Sequence, residues 1–170
     1  MALKFRCLTI EERAATGMTH RLDFDVADIP AGIAANTAQV YNTAALGMPV
    51  LKAGFVVKRS EMVLVPALKD ASDSAFNSTT VSVGDAGSAT RYFNAVQANE
   101  NGTEVITSFP GTENTVYTAD SQMSMTLTPT PSTKTLSDLD VGHIYVLFAI
   151  DWALDPAKKF APPFSGGGYT

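Results

Sequence analysis

A chain of 170 residues can bury a core without disulfide or metal staples, because folding at this size removes roughly 70% of the unfolded surface from water. A net charge of −5 with no run of basic residues excludes a phosphate-tracking nucleic-acid surface, and a single cysteine, Cys7, excludes an internal disulfide or a Cys-rich metal site. Charged residues, at 17%, fall below the average of about 25% for soluble domains, and the Ser, Thr, Asn, Ala and Gly that fill the balance suit sheets with neutral polar faces better than long surface helices.

Residues 1 to 18 combine Phe5, Leu8 and Ile10 with no turn signal and no strong period, and they lack the continuous apolar stretch of a secretory signal peptide. They read as an N-terminal arm outside the folded domain. From Thr19 to Val26, Leu22, Phe24 and Val26 alternate with Arg21, Asp23 and Asp25, which places the apolar set on one face of a strand. Further strands are expected at Gln39 to Leu46, Phe55 to Val65, Thr79 to Val83, Glu104 to Phe109, Gln122 to Leu127 and His143 to Trp152. Ala89 to Ala98 fits a short helix, with Phe93 and Val96 on one face, or a strand.

Turns are expected at Gly84-Asp85-Ala86-Gly87, Asn99-Glu100-Asn101-Gly102 and Pro110-Gly111, with a longer loop over Asp70 to Ser74. In the last strand Tyr145, Leu147 and Ala149 alternate with Val146, Phe148 and Ile150, so both faces are apolar, as at the centre of a sandwich. Residues 153 to 170, with three prolines and three consecutive glycines, read as a C-terminal arm. The expected fold is thus all-β: a single, jelly-roll-like β-sandwich over residues 19 to 152 with extended arms at both ends. No apolar run is long enough to span a bilayer.

No constellation for catalysis stands out. His20 and His143 lack a G-x-S-x-G elbow or other nucleophile nearby in sequence and read as surface or edge histidines, and Cys7 reads as a small apolar residue. Asp23, Asp25 and Asp28 lack the EF-hand oxygen ligand and glycine, because Ala27 and Asp28 occupy those positions. They read as a solvated face, with a weak calcium site between subunits as the alternative. Gly84 to Ser88 lacks the lysine and spacing of a phosphate loop. No cofactor or metal is expected.

The motifs LDFDVADI (Leu22 to Ile29), NTAQ (Asn36 to Gln39), AGFVVKRSEMVLV (Ala53 to Val65), DASDSAFNSTTVSVGDAGSATRYF (Asp70 to Phe93), NGTEV (Asn101 to Val105) and LSDLDVGHIYVLFAIDW (Leu136 to Trp152) follow one another in an order that resembles virion structural proteins of tailed bacteriophages. The resemblance spans Leu22 to Trp152 and leaves both arms outside. It implies a non-enzymatic virion component, synthesised in the host cytoplasm, and favours a capsid decoration (cement) protein on the head surface whose partners are the major capsid protein and two further copies in a homotrimer. A head fibre, tail component or receptor- or carbohydrate-binding accessory is the alternative. A pocket holding His20 or His143 beside a carboxylate is the feature that favours an enzyme.

In this reading the arms carry the interface. Phe5, Arg6 and Leu8 at one end and Lys158, Lys159, Phe160, Phe164 and Tyr169 at the other supply aromatic anchors and charges that a purely solvating tail does not need. Deleting residues 1 to 17 or 158 to 170 is expected to spare the sandwich and weaken attachment.

Overall fold

Alternating apolar side chains close the chain into two facing antiparallel sheets. The computed structural model describes residues 3–70, 78–98, 107–110, 114–130 and 135–152. Among these the strands are β1 (Lys4–Cys7), β2 (His20–Asp25), β3 (Gln39–Tyr41), β4 (Val50–Leu51), β5 (Phe55–Leu64), β6 (Ser78–Asp85), β7 (Ser88–Gln97), β8 (Thr107–Pro110), β9 (Thr115–Val116), β10 (Ser121–Thr130) and β11 (His143–Trp152). One sheet runs β1-β2-β11-β5-β8, with β9 also on β5; the other runs β3-β10-β6-β7, with β4 also on β10.

The core lies between the sheets. Leu22 and Phe24 of β2, Met62 and Leu64 of β5, and Ile144, Val146 and Phe148 of β11 face Val81 and Val83 of β6 and Met123, Met125 and Leu127 of β10, all essentially excluded from water. Burying such a side chain contributes about 1.5–3 kcal/mol, so this seam is the main source of stability. The all-β sandwich expected from the sequence is the fold observed. β11, apolar on both faces, is indeed a middle strand, bonded to β2 on one side and β5 on the other.

The N-terminal segment departs from expectation, because it is part of the domain. Lys4 to Cys7 pair with Asp23 to His20 as the edge strand of the first sheet. A helix, α1 (Ile10–Thr16), follows. Its start is fixed by a capping box in which Thr9 Oγ1 accepts from the Glu12 amide at 3.2 Å and Glu12 Oε2 accepts from the Thr9 amide at 2.8 Å. Gly17, at φ +69°, ends it. Leu3, Leu8 and Met18 are buried, which is why the segment docks and does not extend as an arm.

Two other expectations change. The segment 89 to 98 is strand β7, not helix: Tyr92 and Phe93 are both buried, and Ala95, at φ +48°, marks the irregularity that breaks the alternation. The strand expected from Gln39 to Leu46 stops at Tyr41, and Ala44–Leu46 form a 3₁₀ turn ended by Gly47 at φ +82°. The Asn99 to Gly102 turn, most of the Asp70 to Ser74 loop, Glu104 to Ile106 and the C-terminal residues 153 to 170 lie outside the described residues.

Candidate functional site

The N-terminal interface candidates are engaged within the domain. Phe5 is half-buried and stacks on His20 with ring centroids 5.4 Å apart. The Arg6 guanidinium holds both carboxylate oxygens of Glu12, at 2.8 and 2.6 Å, which with the Thr9 amide keeps that carboxyl down at about 2. Leu8 is buried, so in this fold it is a core residue and no anchor for a partner. Lys158, Lys159, Phe160, Phe164 and Tyr169 lie outside the described residues.

His20 is half-buried at the start of β2, where Thr19 Oγ1 meets its Nδ1 at 2.8 Å; burial first, and then Arg13, lower its pKa. His143 is placed differently. It lies directly across from Asp25 in the β11–β2 pairing, with Nδ1 3.3 Å from the Asp25 carboxylate and Nε2 3.5 Å from that of Asp23. Asp23 is held by Arg21 at 2.5 Å, and the Arg21 guanidinium lies 3.7 Å over the Tyr145 ring, which in turn leans on His143.

Lys4, Asp23, Asp25, Ala27, Asp28 and His143 line a cleft of about 320 Å³ on this outer face. A histidine beside carboxylates is thus present, yet no Ser, Thr or Cys lines the cleft to serve as a nucleophile. Two of the acids already have structural work. Asp25 accepts from the Ala27 amide and Asp28 from the Asp25 amide, which together cap the one-turn helix at Val26–Asp28. Among the described residues no group of three His, Cys, Asp or Glu side chains is placed to hold a metal.

The main polar feature that sequence reading missed is Asp85. It ends β6 and is buried, and its carboxylate accepts from the Gly87 and Ser88 amides at 2.8 and 3.0 Å, from Arg91 Nε at 2.5 Å and from the Tyr117 hydroxyl at 2.5 Å. Tyr117 also meets the hydroxyl of Tyr92 on β7. The turn at Gly84 to Gly87 was legible in the sequence, but the joining of the two sheets through its aspartate was not.

No protein-family model matches the sequence, and a search of characterised proteins finds no match. Among solved structures, the chain is similar to one described as the cyanophage Pam1 capsid asymmetric unit, with 21% sequence identity and a TM-score of 0.46 over 76% of this chain and 79% of that one.

Among the described residues, the large apolar side chains left exposed are Ile10 on α1, Val40 and Val50 on the edge strands beside β10, and Val116 on β9. No helix among the described residues is long and apolar enough to cross a membrane.

Proposed function

We propose that the protein is a non-enzymatic structural component of a tailed-bacteriophage virion, a decoration protein that binds the outer surface of the head and bridges major capsid subunits. The observation that carries this reading is a coincidence of boundaries. The resemblance from Leu22 to Trp152 covers β2 through β11, so what is shared is the sandwich itself and no chemical constellation. The His143 cleft supports the non-enzymatic reading in the same way, since its acids cap a turn and pair with Arg21 and it lacks a nucleophile.

The attachment mechanism now rests on the C-terminal segment alone, because Phe5 and Leu8 are spent inside the domain. Residues 153 to 170 follow directly on the middle strand β11. The segment carries Phe160, Phe164 and Tyr169, and an aromatic inserted into a neighbour contributes about 1.5–3 kcal/mol. Deleting residues 158 to 170 should leave the melting temperature nearly unchanged and weaken co-sedimentation with undecorated heads by tenfold or more, about 1.4 kcal/mol. Equal binding by the truncated and intact chains removes the mechanism.

A further inference from the structure

The outward face of β10 floors a groove of about 350 Å³, bounded on one side by the turn that Asp85 fastens. Gln122, Ser124 and Thr126 alternate along β10 with the buried Met123 and Met125, so three neutral polar side chains share one face; the Gln122 amide nitrogen already donates to the Met48 and Pro49 carbonyls, both at 3.0 Å, which leaves the Ser124 and Thr126 hydroxyls to face a ligand. Val40 and Asn42 line one side, and the turn from Ala86 to Ala89 lines the other. At the floor Ser124 is only 8% exposed, and its hydroxyl has no hydrogen-bond partner. A buried hydroxyl left unpaired is unfavourable unless something from outside the chain satisfies it.

Three features select the ligand. The first is charge. Asp85 is the charged residue at the groove, and its carboxylate is already occupied by Arg91, Tyr117 and two turn amides, so no free charge is presented. The second is the backbone. β10 is paired with β6 on one side and with β3 and β4 on the other, and the Ala86 amide donates to the Gln122 carbonyl, so the floor offers no strand edge on which an added peptide could pair. Recognition therefore falls to hydroxyl and amide side chains, which both donate and accept. The third is the methyl surface of Val40, Ala86 and Ala89 beside those polar groups, which suits a ligand with alternating C–H and O–H faces.

We propose that this groove binds an uncharged saccharide of one or two rings, with the Ser124 hydroxyl as the partner at its base and Asn42 and Thr126 reaching the ring hydroxyls. The size fits, since the volume lies near the lower end of the roughly 300–1,000 Å³ typical of ligand sites. The proposal is independent of capsid attachment, and the isolated full-length chain tests it.

Isotope-labelled protein titrated with maltose, cellobiose, lactose and diacetylchitobiose should show saturable amide shifts confined to residues 40–42, 84–89 and 122–126 for at least one sugar, in the millimolar range expected of a small site. Removing the hydroxyl in Ser124→Ala should weaken that binding about three- to tenfold, the worth of one neutral hydrogen bond, with the melting temperature retained. Asn42→Ala, at the rim, should weaken it without touching the core. Sialyllactose should bind no better than lactose. Flat titrations with all four neutral sugars, unchanged binding in both variants, or saturable shifts with a Gly-Ser-Gly peptide alone overturn the proposal.

Discussion

The hydroxyl of Tyr117, just after β9 in one sheet, donates to the buried carboxylate of Asp85, at the end of β6 in the other, at 2.5 Å. Arg91 and the Gly87 and Ser88 amides complete the shell, so one side chain fastens the β6–β7 turn and ties the two sheets together. A buried charge is tolerable only when so fully paired, and removing one partner from such a set is far more costly than the net worth of the set.

Asp85→Ala should therefore destabilise the domain by about 3–5 kcal/mol, lowering the melting temperature by roughly 10 °C or more. Burial pushes the Asp85 carboxyl up, but the hydrogen bonds from Tyr117, Arg91, Ser88 and Gly87 outweigh it and hold the pKa below the usual carboxylate value. With the folded pKa below the unfolded one, the stabilisation is fully present above about pH 4 and is lost as pH falls through the folded value. Urea unfolding of wild type and Asp85→Asn across the acid range checks this: the gap between them should be constant near neutrality and narrow in acid. A gap that widens in acid contradicts the assignment.

Histidine chemistry is dispensable in this reading. His20→Ala, His143→Ala and Cys7→Ala should each leave attachment to the head and virion infectivity unchanged, although loss of the His20 stack on Phe5 should cost a fraction of the stability. Infectivity that collapses while the circular dichroism and melting curve stay normal, above all for His143→Ala, counts for the enzyme reading of the cleft beside Asp23 and Asp25.

Period-2 alternation was enough to find β2, β6, β10 and β11, which have one face in the core, and β5, where buried residues alternate from Ser60 to Leu64 after a shift in register beyond Val57. It failed at β7, where buried Tyr92 and Phe93 are consecutive and the bulge at Ala95 shifts the phase, leaving helix and strand equally plausible by pattern. It also failed for β1, whose four residues are too few to show a period and whose reason for being a strand is its distant partner, His20 to Asp23. Helix α1 carries its signature locally, in the capping box Thr9-Ile10-Glu11-Glu12 and in Gly17. For the candidate sites the limit was different. The Asp85–Tyr117 bond spans 32 residues, and the cleft at His143 is assembled from β1, β2 and the distant β11, so neither leaves a local motif.

The proposed homotrimer would draw on the apolar side chains left on the sheet edges. Val50 and Val116 expose branched apolar surface that a closed ring of copies can cover. Light scattering at micromolar concentration should give three times the chain mass, and Val50→Glu or Val116→Glu should shift it toward one. A strictly monomeric mass, both free and on the particle, removes the trimer.

The N-terminal segment gives the sharpest contrast with an arm. Leu3 and Leu8 are buried, at about 1.5–3 kcal/mol each, and deleting residues 1 to 17 also uncovers the outer edge of β2. The deletion should cost several kcal/mol and favour association through the bared strand. Gly47 supplies an independent handle on the same contact. The Leu3 amide donates to the Leu46 carbonyl at 3.1 Å, and a Cβ on Gly47 would lie 1.8 Å from the Leu3 carbonyl oxygen, against backbone that cannot yield cheaply. Gly47 also sits at φ +82°, so Gly47→Ala combines a left-handed strain with a clash and should displace the segment. If both changes act by undocking residues 3 to 8, their costs should not add: Gly47→Ala in the truncated chain should lose only the strain at residue 47 itself, about 1 kcal/mol. Fully additive losses in the double variant show that Gly47 does not act through the segment, and a deletion that melts like wild type restores the segment as a free arm.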